Sequence, residues 1–420
     1  MSQKNILSSQ NFVSPRTKSN SKYFMHILII EASLSGHHSI YLERIALAFT
    51  SGGNLVTIAL PVGVNNIDKI FENLKFNQRV KWFYFKQKFD LNAQGVWGLV
   101  SRELCIHKIF GQIYSDINIC SKIDYVFLPY LDYCLHAVSL MGSPFGRTKW
   151  GGICMRPSFH YKSVGIVAPY KRIDTIKRLL FFRLFNNKTL EKIFSIDITL
   201  INYVRESNLS VLSKLHYLAD PVDLPVAVDT NKFRQSFRTP SNAKVILVYG
   251  ALDERKGVIL LLTALEEENV LDEWHIWLVG LQSEGLRTSL RAKKWSKLTQ
   301  ENRLHIHDNF VSTDIQSQVF AACDVVWVGY VHHYGMSGVL VHAGMHAKPV
   351  ISAPYGILFW YVTTLNMGNV ITTYAAGSVA AALIDLSKLG RRITLGKNGH
   401  AIFKENTWNN FSKSLAKNED

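Results

Sequence analysis

The sequence predicts an α/β protein of two domains, each with a parallel sheet wound with helices on both faces, the two sheets facing a cleft. Three observations predict it. The pattern strand, glycine-containing turn, helix occurs twice, once near the start and once past the middle. The apolar strands are near-continuous, as a sheet buried on both faces demands. The 420 residues exceed one ordinary domain and suit two.

The first unit opens with the strand His26–Glu31, the turn Ser33-Leu-Ser-Gly-His-His38 and a helical pattern over Ile40–Phe49. The second opens with Lys244–Tyr249, continues through Gly250–Gly257 and enters a helix at Val258–Leu265. Further strands are expected at Leu55–Leu60, Val80–Phe85 and Tyr125–Leu128, then at His275–Val279, Leu304–His307, Val325–Val328 and Pro349–Ser352. Helices are expected between them, notably at Ser283–Leu298 and Gln316–Ala322. This alternation gives Rossmann-like units with right-handed crossovers.

Four segments follow: a polar, disordered extension over 1–24; a first domain over 25–235; a second over 236–400; and a C-terminal helix over 401–420 packing back on the first domain. The boundary rests on Phe233–Ala243, a polar, aperiodic stretch containing Pro240.

Composition narrows the classes. Hydrophobic residues make up 47% and charged residues 19%, which is globular. No apolar run reaches the roughly 18–20 residues that span a bilayer, and no signal core follows the basic start. The five cysteines, Cys105, Cys120, Cys134, Cys154 and Cys323, are scattered, so a cytoplasmic, reducing setting is expected. The net charge of +15 points to an anionic partner. Nucleic acid is not expected, because no recognisable motif or aromatic platform accompanies the charge.

Gly250-Ala-Leu-Asp-Glu-Arg255-Lys256-Gly257 brings cations to a helix start. Unpaired N–H groups and a lysine together suit a diphosphate; the alternative is an ordinary loop with exposed Arg255 and Lys256. Tyr334-Gly335-Met336-Ser337-Gly338 precedes a helix that Ser337 can cap, with Gly335 and Gly338 loosening the backbone. His342 and His346 then share one helical face. That is metal-like spacing, but Ala343 stands where a zinc hydrolase needs Glu, and no third ligand is evident. No metal or other cofactor is expected. His342 is read as a donor contact and His346 as a packed or exposed residue.

Residues 244–370 resemble the donor-binding domain of GT-B glycosyltransferases, specifically retaining family 4 (glycosyltransferase group 1). The resemblance rests on Gly250, Lys256-Gly257, Leu260-Leu-Leu262, Leu278-Val-Gly280, Phe310-Val311, Cys323-Asp-Val325 and His342-Ala-Gly-Met-His-Ala-Lys-Pro-Val350. It implies a nucleotide-sugar donor, a glycan or lipid-linked acceptor, retention of configuration, and roles in cell-envelope polysaccharide synthesis. It implies donor contacts from Gly250, Arg255, Phe310, Val311, Tyr334, Gly335, Met336, Ser337, Gly338 and His342, with Lys256 on the diphosphate. In the first domain Gly36, His37, Arg156 and His160 are the polar candidates, the last two facing the donor sugar.

The chain departs from the pattern. The family arginine falls on Ala251, and its two glutamates fall on Tyr334 and His342. Two readings follow: a subgroup with changed donor contacts, or an inactive nucleotide-sugar-binding relative.

Finally, Lys171–Phe185 combines five basic residues with one acid. Ile173, Ile176, Leu180 and Leu184 have helical spacing, widened by Leu179, Phe181 and Phe185. Such a helix suits the anionic cytoplasmic face of a membrane, with Lys171, Arg172, Lys177 and Arg178 meeting headgroups. The alternative is that the same face packs on the sheet.

Overall fold

The computed structural model describes residues 24–34, 38–63, 70–86, 95–292 and 295–416. The extension over 1–23 lies outside the described residues, as do Gly36 and His37.

The first domain holds seven strands: β1 His26–Ile30, β2 Leu55–Pro61, β3 Val80–Phe85, β4 Tyr125–Leu128, β5 Lys149–Cys154, β6 Leu190–Ser195 and β7 Leu215–Tyr217. They form one parallel sheet in the order β3-β2-β1-β4-β5-β6-β7. Its helices are α1 His38–Ser51, α2 Gly95–Cys120, α3 Leu135–Met141, α4 Ile173–Leu184 and α5 Ile198–Ser207.

The second sheet holds β8 Lys244–Tyr249, β9 Trp274–Val279, β10 Leu304–His307, β11 Val325–Val328, β12 Val350–Ser352 and β13 Gly368–Val370. It is parallel, in the order β10-β9-β8-β11-β12-β13. The remaining helices are α6 Thr230–Ser236, α7 Val258–Glu267, α8 Glu284–Ala292, α9 Ser296–Gln300, α10 Thr313–Ala322, α11 Gly338–Met345, α12 Gly356–Thr364, α13 Ala376–Leu386, α14 Leu389–Phe403 and α15 Trp408–Ala416.

Period-2 alternation inside wholly apolar strands explains the layering. Leu28 and Ile30 of β1 join the core on one face, and Ile27 and Ile29 join the core on the other. In β8, Val245 and Leu247 oppose Ile246 and Val248 in the same way. Strand order reverses between β1 and β4 and again between β8 and β11. A crevice at the carboxyl ends of such strands is where open parallel sheets bind ligands.

Three elements differ from the sequence reading. The stretch read as an aperiodic linker begins inside α6, which Asp229 caps by accepting from the Lys232 amide. Arg234 in α6 reaches the Ala322 carbonyl and the Asp324 carboxylate, so this polar helix docks on the second domain. The helix expected over 283–298 is two helices, and the one expected over 401–416 is broken between Phe403 and Trp408.

The chain returns to the first domain at its end. Val222 donates to the Asn406 carbonyl at 2.9 Å, and Asn406 Nδ2 to the Asp220 carbonyl at 2.8 Å. Beyond them Trp408 and Phe411 of α15 meet the edge of Tyr41 in α1. A second contact between the domains joins the Gly356 amide to the Val167 carbonyl at 2.8 Å.

In α4 the apolar residues do not share one face. Phe181, Leu184 and Phe185 enter the core, whereas Ile176 and Leu179 point outward, 56% and 60% exposed. Among the described residues no helix is long and apolar enough to cross a membrane.

Candidate functional site

The loops after β8 and β11 interlock at the point where strand order reverses. Gly257 ends a tight turn at Glu254–Lys256 with φ +67, and a Cβ there would lie 2.6 Å from the Gly329 carbonyl oxygen. Only glycine meets both demands. Trp327 Nε1 donates to the Lys256 carbonyl at 2.8 Å, and the Val331 amide to the Arg255 carbonyl at 2.7 Å.

This packing draws Lys256 inward, leaving it 5% exposed. Its ammonium donates to the Tyr330 hydroxyl at 2.9 Å and the Tyr249 carbonyl at 3.2 Å, and lies 4.2 Å from the Tyr330 ring centre. These partners are dipoles and a π face; among the described residues no carboxylate pairs with it. A buried ammonium costs free energy unless a counter-charge accompanies it. Lys256 is therefore not the exposed loop residue of the alternative reading. Arg255 is exposed beside it and donates to Nδ1 of His333 at 3.0 Å. Burial, aided by Arg255, pushes the His333 imidazole down to about 4, so it accepts as a neutral ring.

Tyrosines hold the loop from Tyr330 to Ser337. The Tyr374 and Tyr355 hydroxyls donate to the Tyr330 carbonyl at 2.8 and 3.3 Å, and Tyr334 packs on Tyr355 at 5.1 Å between ring centres. Gly335 and Gly338 do not loosen this loop through left-handed backbone; the residue there with positive φ is His332, at +52. Ser337 occupies the N-cap position of α11, but its side chain makes no capping bond. Its Oγ lies 3.5 Å from the Tyr330 hydroxyl instead. The first amides of α11 therefore lack a side-chain cap, close to the buried ammonium. Met336, in the same loop, packs against the second domain's core.

His342 sits one turn into α11. Its Nε2 lies 2.7 Å from the Gln316 side-chain amide, and its ring stacks on Phe320 at 5.2 Å. Burial pushes its pKa down to about 3. His346 stacks on the same phenylalanine, with Nδ1 on the His342 carbonyl and Nε2 near Ser317 Oγ. The two rings are thus engaged in packing and hydrogen bonds. Among the described residues no cluster of three or more metal-type ligands occurs. Phe310 is 91% exposed, Val311 is buried in the core, and Gly250 has φ +101 at the end of β8.

On the opposite side a cavity of about 530 Å³ opens at the carboxyl ends of β4 and β5 and the start of α1. His38 stacks on Tyr130 at 4.1 Å, and Tyr130 on Tyr133 at 5.2 Å. Arg156 is exposed, its guanidinium 5.5 Å above the Tyr130 ring. His160 does not face the cleft. It is fully buried, with Nε2 2.9 Å from Thr199 Oγ1 and 3.2 Å from Asp197 Oδ2. Asp197 caps α5 by accepting from the Thr199 and Leu200 amides. His160 thus turns inward after β5 to brace that helix start rather than touch a sugar.

With this geometry in place, residues 229–402 match the family model of glycosyl transferases group 1. The second domain is a group 1 glycosyltransferase domain. The whole chain has the GT-B fold. It is similar to sucrose-phosphate synthase from Thermosynechococcus elongatus, with 16% identity, a TM-score of 0.65, and coverage of 93% of this chain and 97% of that one. It is similar to Anabaena HepE in complex with UDP and glucose, with 16% identity, a TM-score of 0.61 and coverage of 93% and 98%. It is also similar to a glycosyltransferase from Rickettsia africae, with 17% identity, a TM-score of 0.60 and coverage of 94% and 96%. Comparison with curated protein sequences gives no significant match.

Within the group 1 domain the structure brings together Gly250, Arg255, Lys256 and the Tyr334–Gly338 loop. It adds residues that sequence spacing did not single out: Tyr330, Tyr355, Tyr374 and His333. The signal for them was faint, tyrosines with no period, because they brace the loop from the segments that follow three different strands.

Proposed function

We propose that the protein transfers a hexosyl group from a nucleotide-sugar donor to a glycan or lipid-linked acceptor, with retention and without a metal. The observation that carries this reading is the buried, carboxylate-free ammonium of Lys256 beside the uncapped start of α11. As the glycosidic bond breaks, charge grows on the leaving diphosphate, and the sugar carbon becomes oxocarbenium-like. A preorganised cation and helix amides in a water-poor site stabilise that leaving group. Lys256 and Arg255 supply the positive charge, and the Tyr334–Gly338 backbone lies along the diphosphate. HepE, which shares the fold, is described with UDP and glucose, which supports a nucleoside diphosphate here. His342, neutral and paired with Gln316, takes a ribose hydroxyl in place of the family glutamate. Phe310 and Val311 border the base.

A second reading has its own observation. Tyr334 and His342 replace both family glutamates, as in an inactive relative that binds sugar nucleotides or scaffolds an assembly. A panel of UDP-, GDP- and ADP-sugars separates the two. Thermal stabilisation by one donor with slow donor hydrolysis supports the enzyme; stabilisation without hydrolysis or transfer supports the inactive nucleotide-sugar-binding relative; no stabilisation by any donor sinks both of these and leaves only a scaffold.

The setting we propose is the cytoplasmic membrane face, in envelope polysaccharide synthesis as in family 4. The exposed Ile176 and Leu179, flanked by Lys171, Arg172 and Arg178, support a peripheral contact with anionic lipid.

A further inference from the structure

We infer that the first-domain cavity recognises its acceptor through a negatively charged group on a sugar, a phosphate or a carboxylate. The inference rests on the glycosyltransferase reading for the word acceptor, but the recognition chemistry stands on the cavity itself.

The cavity lies where strand order reverses between β1 and β4, the place a parallel sheet offers to a ligand. Its floor is aromatic: Tyr130 and Tyr133, with His38 stacked behind. Such flat, apolar faces suit one face of a sugar ring.

The charges in its wall divide into two kinds. The carboxylates are committed to the fold. Glu103 accepts from the His136 and Ala137 amides at 2.9 and 3.1 Å and from His136 Nδ1 at 2.7 Å, holding the start of α3. Asp132 accepts from the Met155 and Arg156 amides at 2.7 and 2.8 Å, fixing the end of β5. Burial pushes the Asp132 carboxyl above its usual range, against the backbone amides and Arg156 that hold it down. Two of the cations that line it are not committed in this way. Arg156 contacts Tyr130 and feels the Asp132 charge, but among the described residues it makes no ion pair within 4 Å. Lys177 has one distant partner, Asp174 at 3.7 Å, which already accepts from the Lys171 amide. Both line the cavity.

An exposed guanidinium has five N–H donors, more than its contact with Tyr130 uses, and two of them can meet a phosphate or carboxylate in parallel. Lys177 adds a point charge from α4. The acceptor's anion therefore meets Arg156 and Lys177 while its sugar ring lies against the half-buried Tyr133.

The test measures binding to the full chain of glucose 6-phosphate, glucuronate, glucose, glucosamine and inorganic phosphate by ligand-observed NMR, with UDP, GDP and ADP measured in parallel. The two anionic sugars are expected to bind about tenfold tighter than glucose, as loss or gain of a charged hydrogen bond implies. Glucosamine is expected to bind no better than glucose. Arg156→Gln is expected to abolish the anionic advantage and Lys177→Gln to reduce it, while nucleoside diphosphate binding in both variants stays at the wild-type level. Equal binding of charged and neutral sugars, or an undiminished advantage in both variants, overturns the inference. Inorganic phosphate binding as tightly as glucose 6-phosphate overturns the sugar platform. Absence of any nucleoside diphosphate binding to the wild type counts against the glycosyltransferase reading instead, and leaves the sugar comparison to decide the cavity.

Discussion

Lys256 and Tyr330 form a buried pair in which one aromatic residue meets the ammonium twice, through its hydroxyl at 2.9 Å and its ring face at 4.2 Å from the centre. The tyrosine's hydroxyl and ring face partly offset the cost of burying the cation without a carboxylate partner. On the proposed reading, a donor diphosphate bound at the start of α11 would bring the counter-charge that this pair lacks.

Removal of that ammonium should therefore act on turnover. Lys256→Ala is expected to lower kcat/KM for donor cleavage by about ten- to a hundred-fold, from a charge-assisted contact of about 1.5–3 kcal/mol. Tyr330→Phe keeps the ring and loses the hydroxyl, so a smaller drop is expected. Steady-state kinetics on both variants, with circular dichroism to confirm folding, decides this. Wild-type rates in Lys256→Ala would remove the lysine from the site.

His342 tests the donor side from the other end of the loop. If it takes a ribose hydroxyl, His342→Ala should weaken binding of the free nucleoside diphosphate about tenfold, the loss of one good hydrogen bond in a buried setting. His342→Glu restores the family carboxylate opposite the Gln316 amide and should recover most of that loss. EDTA should leave activity unchanged. Chelator-sensitive activity restored by zinc would point back to the His342 and His346 pair as metal ligands.

The two openings were legible because β1 and β8 are apolar after their first residue and end in glycine-bearing turns, a pattern local enough to read from the chain. Lys256 was legible by position but not by environment. Its burial comes from Trp327, Gly329 and Tyr330, more than seventy residues away. His160 misled for the same reason: a polar residue just past a strand end reads as a cleft residue until Asp197 and Thr199 fold in behind it. In α4 helical spacing grouped Ile176 with Leu184, and only the packed sheet reveals which of the two turns inward.

The crossing between the domains should respond to pH. Tyr41 donates its hydroxyl to Asp220, yet burial still pushes this carboxyl up to about 6. In the unfolded chain an aspartate ionises near 4. Below about 4 both states are protonated and the group is neutral to stability. As pH rises from 4 to 6 the unfolded state ionises first, so stability falls, and above 6 the full cost of about 3 kcal/mol is present. Asp220→Asn should thus be more favourable relative to wild type at pH 7.5 than at pH 4.5. Urea unfolding at the two pH values measures the difference; a change of opposite sign would mean that the ionised carboxylate is stabilising.

The last expectation concerns α4 and its surroundings. Phe181, Leu184 and Phe185 fix the helix to the core, so its outward face is free to serve another purpose. That face shows Ile176 and Leu179 with Lys171, Arg172, Arg178 and Arg183 exposed around them, and neighbouring α3 adds exposed Leu140 and Met141. Apolar groups ringed by cations match a bilayer surface, where the former enter among the acyl chains and the latter meet anionic headgroups. Each cation near such a surface contributes about 1 kcal/mol, screened by salt. The protein should co-sediment with liposomes of phosphatidylglycerol at low salt, less with phosphatidylcholine, and dissociate as salt rises. Replacement of Lys171, Arg172 and Arg178 by Gln should weaken the salt-dependent part. Ile176→Ser with Leu179→Ser should weaken the part that survives high salt, because it removes the groups that enter the lipid. Neither set of changes touches the packed residues of α4, and of the side chains replaced only Arg178 has a core partner, Tyr203, so the melting temperature should stay close to wild type. Failure to bind either lipid would leave α4 as a structural helix and place the acceptor in solution.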